Sequence, residues 1–384
     1  MKKLINVTLV VAIVMVLSLI STGCTITPDE SPNQEAAGND ETSAIVFKDG
    51  FGREITLGDT VDRVAIGHSF FSEIMIVIGA EDKVVAVPQE STWDEIIFPG
   101  LSSIPGLGIS SDGSGEGTNY EILLESGPDV YIVTASPTTK NAYDLDVEKL
   151  EPDVPVIALS FQGRDEIKES IEILGLITGK EQEAKEYIEF YEGILESITA
   201  KLSTLSEDEK PRLYYEMMPG WTVNDDCSLY NLQFKLSGGI NIAGDNPQLW
   251  FETDKEWLAE QNPDVVVSNA FSSYYEPSCE VGYEYDDYSS LKSYVESIAS
   301  RPEISGTSAA DNNRIYAYYD RLTWKPRFFI GIAYMAKWLH PELFTELDPE
   351  AIHQEYLTKY LKIDYDLRKQ GVFAYPEVKV QQGE

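Results

Sequence analysis

Apolar residues fall in short, regularly spaced runs along most of the chain, and the period of each run predicts its element. Residues 45–48 and 53–57 flank Asp49-Gly50-Phe51-Gly52, a glycine-rich turn that predicts a hairpin. Aliphatic runs follow at 61–66, 83–87, 129–134 and 154–160, with a helical stretch at 70–78. Runs apolar at successive positions, alternating with helices and ending in polar or small residues, predict a parallel sheet buried on both faces. A second series begins at 212–216 and recurs at 264–268 and 314–318, and apolar helices at 327–339 and near 349–361 are suited to cover its faces. Between the two series Ala184, Tyr187, Ile188, Tyr191, Leu195, Ile198, Leu202 and Leu205 recur at helical spacing in a segment rich in Glu and Lys. That pattern is one long, one-sided helix, read as a rigid connector between lobes or as a surface helix of a single larger domain.

The amino terminus breaks the pattern. Met1-Lys2-Lys3 precedes an uncharged run at 4–20 and then Ser21-Thr22-Gly23-Cys24, the layout of an export signal. Its last residues resemble the lipobox of prokaryotic lipoproteins, in which the cysteine is acylated and becomes the mature terminus. Ser21 departs from the usual Leu, so a plainly cleaved signal or an uncleaved anchor are the alternatives. Residues 25–43 carry too few aliphatic side chains for a core and read as a tether. The expected organisation is a signal at 1–24, a tether at 25–43, an α/β lobe at 44–165, a helical connector at 166–210 and a second α/β lobe at 211–384. With Cys24 lipidated, Cys227 and Cys279 form an even pair outside the cytoplasm, and one disulfide is expected. Two free thiols or soft metal ligands are the other readings, although no CxxC or Cys/His spacing supports a metal.

Composition narrows the partners. Of 384 residues 43% are apolar, enough for a substantial core, and 29 basic against 65 acidic side chains leave a net charge of -36. Such a surface repels nucleic acid and anionic membranes, so contact with a membrane is expected through lipid alone. The sequence contains no GxSxG, HExxH, phosphate-cradling glycine loop or EF-hand pattern, and no enzyme is expected. Paired carboxylates, a chelatase and a surface adhesion lipoprotein remain as other classes.

One pattern occurs twice. Glu121-Ile122-Leu123 leads to Pro128-Asp129-Val130, and Glu256-Trp257-Leu258 leads to Pro263-Asp264-Val265, with Glu seven residues before Pro each time. Each copy describes a short helix feeding a buried strand, with a carboxylate at the helix start where the dipole favours it. Helix stabilisation or a docking knob on each lobe both explain the glutamates.

Together with Gly238-Gly239-Ile240-Asn241-Ile242-Ala243 and Asn313-Arg314-Ile315-Tyr316, these motifs resemble the substrate-binding proteins of ABC importers for ferric siderophores, haem and cobalamin. The resemblance covers nearly all of the mature chain. It implies two α/β lobes with mainly parallel sheets joined by one rigid helix, a ligand cleft between them, and a monomer that delivers cargo to a permease dimer with separate ATPase subunits. It also implies that Glu121 and Glu256 engage that permease. Ligands of open α/β sheets bind beyond the carboxyl ends of the strands, which selects His68, Ser69, Trp93, Trp221, Tyr274, Tyr319, Arg321, Trp324 and Arg327. Aromatics offer broad contact to a bulky chelate and Arg pairs with its oxygens. His68 is a metal ligand or a polar loop residue. The acidic, Tyr-rich stretch 274–288 is a lid or an insertion. An iron chelate is the expected cargo, with cobalamin or haem as alternatives, and no cofactor beyond lipid at Cys24 is expected.

Overall fold

The computed structural model describes residues 44–92, 95–108, 118–272 and 278–376. Cys24, Trp93 and Tyr274 lie outside them, as do the predicted signal and tether.

The chain opens with an antiparallel hairpin, β1 (Ile45–Lys48) and β2 (Glu54–Leu57), in which Lys48 faces Glu54. Asp49 Oδ1 accepts from the amides of Phe51 and Arg53 at 3.0 and 2.9 Å, so one carboxylate shapes the turn. There follow β3 (Val64–Ile66), α1 (Ser69–Val77), β4 (Val84–Ala86), α2 (Tyr120–Glu125), β5 (Val130–Thr134), α3 (Lys140–Leu150) and β6 (Val156–Leu159). The four strands form a parallel sheet in the order β4-β3-β5-β6. Val64, Ile66, Val130, Ile132, Ile157 and Leu159 point into one apolar layer, while Ala65, Tyr131, Val133, Val156 and Ala158 point into another. Burial on both faces is why these strands read as unbroken aliphatic runs.

Two helices carry the chain onward, α4 (Arg164–Thr178) and α5 (Glu181–Leu202), separated by Gly179, whose φ of 69° closes α4 in the left-handed region. The apolar stripe from Ala184 to Leu202 is buried along α5, and Leu205 falls beyond its end. Rather than bridging open space, α5 packs on α1 and α4 on one side and on later helices of the second sheet on the other.

That second half comprises β7 (Arg212–Glu216), β8 (Trp221–Val223), α6 (Ser228–Ser237), β9 (Ile240–Asn241), β10 (Trp250–Glu252), α7 (Lys255–Gln261) and β11 (Val265–Ala270). It continues with α8 (Ser289–Ala299), α9 (Ser308–Asp311), β12 (Ile315–Tyr319), α10 (Phe328–Leu339), α11 (Pro349–Glu355) and β13 (Ala374–Tyr375). The sheet order is β13-β12-β11-β7-β9, parallel except for the edge strand β13. β8 and β10, with α6 and β9 between them in the chain, pair separately as a two-stranded antiparallel ribbon that the sequence pattern did not announce. The α/β class with mainly parallel sheets is the one expected.

The expected disulfide is corrected: Cys227 and Cys279 are both free thiols. Cys227 caps the start of α6, whereas Cys279 lies past β11 with its amide bonded to the Phe271 carbonyl at 2.7 Å, so separate elements hold the two sulfurs. Burial pushes the thiols up to about 11 and about 12, leaving them protonated and unreactive at neutral pH.

The two halves meet through a buried polar knot. Glu73 of α1 places Oε2 3.5 Å from Arg327 Nη2 with neither side chain appreciably exposed, and Tyr356, just past α11, donates to Glu73 Oε1 at 2.6 Å. Arg327 Nη1 donates to Tyr283 Oη at 2.8 Å, and Tyr283 Oη is hydrogen-bonded to His353 Nε2, also at 2.8 Å. From α5, Tyr187 donates to the Pro326 carbonyl at 2.8 Å. Arg327, expected among the cleft contacts, is thus a junction residue: with 0% exposure it faces Glu73 and the rings of Tyr283 and Phe98.

Arg327→Met alone strands a buried carboxylate and should cost about 3–5 kcal/mol, whereas adding Glu73→Leu should restore much of that loss. Urea unfolding of both variants checks this; a double variant no more stable than the single one would reject the pairing.

Candidate functional site

β3 runs into Gly67, where a Cβ would stand 2.7 Å from the Tyr131 hydroxyl, so only glycine lets the strand end pass so close to β5. The next residue, His68, caps α1: its Nδ1 accepts from the Phe70 amide at 3.2 Å. An amide can only donate, so Nδ1 holds a lone pair and the ring proton sits on Nε2. Burial, reinforced by the charge of Lys325, lowers the imidazole to about 3 and keeps it neutral, with Phe161 4.7 Å and Phe71 6.2 Å away between ring centres.

From the other half, β12 ends in the turn Asp320–Leu322. Gly331 of α10 presses on that turn so closely that a Cβ would lie 2.3 Å from the Leu322 carbonyl oxygen. Trp324 Nε1 donates to Asp320 Oδ2 at 3.0 Å, fixing the indole. Lys325 lays its ammonium 4.1 Å from the Trp324 ring centre and donates to Ser69 Oγ across the junction. With 4% exposure it is a buried cation where the strand ends of the two sheets converge.

The sequence reading named His68, Ser69 and Trp324, which the structure brings together, but passed over the residue that joins them. Lys325 stands between two residues that were named, Trp324 and Arg327, in the turn that follows β12. Arg321 lies over Tyr319 at 5.9 Å from the ring centre. Tyr319 itself is corrected to a core position, 2% exposed and packed edge-on to Tyr283 and Phe373. Trp221 opens β8 at the carboxyl end of β7, its carbonyl bonded to the Met217 amide at 2.9 Å, and stays exposed. Glu90, buried beyond β4, is a further carboxylate at a strand end.

The repeated motif is built twice in detail. Asn119 caps α2 by accepting from the Ile122 amide at 3.2 Å, and Asp254 caps α7 by accepting from the Trp257 amide at 2.8 Å. Glu121 and Glu256 thereby occupy the same second position of their helices, both exposed. Each helix is followed by a left-handed residue, Gly127 at φ 57° or Asn262 at φ 46°, before Pro-Asp. Asp129 Oδ2 then accepts from the Arg63 amide at 2.9 Å and Asp264 Oδ2 from the Arg212 amide at 3.0 Å. In return Arg63 Nε donates to the Gly127 carbonyl at 2.6 Å, and Arg212 Nη2 to that of Gln261 at 3.1 Å. The same Arg-to-carbonyl and Asp-to-amide exchange locks each helix to the neighbouring strand, which makes the two carboxylates structural equivalents.

Comparison with known proteins follows the same line. A family model described as periplasmic binding protein matches residues 64–322. An uncharacterized ABC transporter substrate-binding lipoprotein of Bacillus subtilis, YvrC, is 21% identical over 343 residues, covering 87% of this chain and 98% of that protein. The molybdate-binding protein MolA of Haemophilus influenzae is 20% identical over 356 residues, covering 83% and 92%; its molybdate-bound structure superposes with a TM-score of 0.65. The TroA-like periplasmic binding protein FepB from Veillonella parvula superposes at 0.73 with 22% identity, over 86% of this chain and 99% of that one. At these identities the superpositions establish the fold.

Burial lowers all three histidines, His68, His340 and His353, and His68 and His353, the fully buried pair, stay neutral in the fold and take up a proton on unfolding. Their contribution is complete above the unfolded value near 6.5 and is lost as pH falls below it, by up to about 1.4 kcal/mol per pH unit for each fully buried ring. Urea midpoints should therefore drop between pH 7.5 and 5, with imidazole NMR resonances of His68 and His353 unshifted; titration of either near 6.5 would contradict their burial.

Proposed function

The chain belongs to the periplasmic binding protein family, and from that membership we propose that its cargo is a metal chelate, with a ferric siderophore or similar iron complex first among them. It is the extracytoplasmic substrate-binding component of an ABC transporter, working with permease and ATPase components, and it performs no chemistry of its own. Among the described residues no helix is long and apolar enough to cross a membrane. In the proposed arrangement lipid at Cys24 tethers a monomeric body to the membrane surface.

The observation that carries the reading is the meeting of strand-end loops from both sheets at Lys325 and Ser69, beside the indole of Trp324. Strand carboxyl ends facing one another across a junction are where such folds hold ligands, and an indole with a cation suits a bulky, oxygen-rich complex. The equivalent, exposed Glu121 and Glu256 support a docking role toward basic permease residues, one on each half. The buried Glu73–Arg327 pair behind the loops argues for limited lobe movement on loading.

Intrinsic tryptophan fluorescence against ferric hydroxamates, ferric catecholates, cyanocobalamin and haemin tests the cargo. A saturable, submicromolar response to an iron complex is expected; response to cobalamin or haemin alone would replace the iron reading. Glu121→Ala with Glu256→Ala should leave binding unchanged and lower uptake by roughly tenfold or more, since charges at an interface rim act on association. Undiminished uptake would reject the docking role.

A further inference from the structure

Resting on the docking reading of Glu121 and Glu256, we propose that the first lobe carries an apolar anchor for the permease, Leu124 and Leu145 beside Tyr120. The second lobe has no counterpart, so the two lobes grip the permease unequally. Leu124 is 53% exposed and Leu145 44%, and among the described residues these are the large apolar side chains that α2 and α3 leave in solvent. Tyr120 Oη donates to Asp146 Oδ1 at 2.5 Å, and the Lys149 ammonium lies 4.0 Å from the Tyr120 ring centre, so α2 is pinned to α3. Leu124 follows Tyr120 by four residues on α2 and Leu145 precedes Lys149 by four on α3, which puts each leucine one turn from that stack. The leucines are thus presented on a surface already ordered, and covering them costs little further entropy.

The repetition within the fold provides the comparison. α7 and α8 flank β11 as α2 and α3 flank β5, and Glu256 stands where Glu121 does. Ala259 there takes the place of Leu124 and Lys255 that of Tyr120, while the exposed positions of α8 are Ser289, Lys292, Ser293, Glu296 and Ser297. The exposed Trp250 does not fill the gap: alternation along β10 turns it to the face opposite Phe251, whose ring packs against Trp257 of α7 at 6.3 Å. The permease is assigned to the leucines through their neighbour. Glu121 and Leu124 are three residues apart on one exposed side of α2, so a surface that engages the carboxylate covers the leucine with it. A second copy of this chain is a poor occupant, since it would bring a net charge of -36 and its own Glu121 and Glu125 against the same face. The partner surface that fits is a basic residue bordered by an apolar patch where the first lobe sits, and a basic residue alone where the second does.

The test measures binding to the cognate permease–ATPase complex reconstituted in lipid nanodiscs, by wild type, Leu124→Gln, Leu145→Gln, Ala259→Gln and the double variant Glu121→Ala with Glu256→Ala. Circular dichroism and thermal unfolding show first that each variant folds, and Leu124→Ala replaces Leu124→Gln should the latter misfold. Expected is a roughly 5- to 30-fold weaker complex for Leu124→Gln, a smaller loss for Leu145→Gln and less than about twofold for Ala259→Gln, as burial of an exposed leucine predicts. The leucine losses should appear as faster dissociation at low and high salt alike, whereas the glutamate variant should lose association rate, and less of it at high salt. Unchanged affinity in both leucine variants beside a weakened glutamate variant would overturn the anchor and keep the docking reading. Weakened leucine variants beside an unaffected glutamate variant would uphold the anchor and overturn the role of the glutamates. Equal losses for Leu124→Gln and Ala259→Gln would overturn the inequality of the lobes, and a wild-type dimer in light scattering that Leu124→Gln splits would give the face to a second copy instead. A wild type that does not bind the complex would overturn both readings.

Discussion

A guanidinium removed from water stays charged only where other groups replace its hydration, and Arg327 finds those groups on both sides of the lobe junction. Glu73 reaches it from the first sheet's helix, Tyr283 from the second half, and Tyr356 completes the carboxylate. Removing one partner leaves the other buried and uncompensated, so the knot resists any motion that would part α1 from α10. The consequence reaches the cleft, because Lys325 lies two residues before Arg327 and Ser69 four residues before Glu73. Groups proposed to touch cargo are carried on the same short segments as groups that are not free to move.

That coupling explains why much of the fold was readable from sequence while the site was only half so. Strands such as Val130–Thr134 are buried on both faces and announce themselves as aliphatic runs, and the stripe from Ala184 to Leu202 announces α5 because one face of that helix is dry. The doubled Glu to Pro-Asp-Val motif was legible because each residue has a local job: a cap, a left-handed residue, an aspartate on the next strand's amide. The partners of a buried charge are set by distance in space instead. Nothing in the residues around Arg327 says that its carboxylate lies in α1, and an arginine beyond a strand end reads as a ligand contact until its partner is seen. Cys227 and Cys279 misled in a similar way, since an even count and an oxidising compartment say nothing of which elements hold the sulfurs apart.

The β8–β10 ribbon and the edge strand β13 were also hidden, being two or three residues long and too short for a period to show. They matter for different reasons. β8 turns Trp221 outward at the end of β7, while β13 closes the edge of the second sheet beside β12, whose carboxyl end launches the turn that carries Trp324 and Lys325.

Tyr356 bonds Glu73 across 283 residues of sequence. The helix that starts the first sheet therefore lacks a hydrogen-bond partner for its buried carboxylate until nearly the whole chain has been made. For a polypeptide that crosses a membrane amino terminus first, that is a constraint on timing: the early half emerges with an unmatched charge in its interior, and its final packing waits on the last stretch to arrive. The junction that steadies the mature protein thus rests on contacts that only the last-made part of the chain supplies.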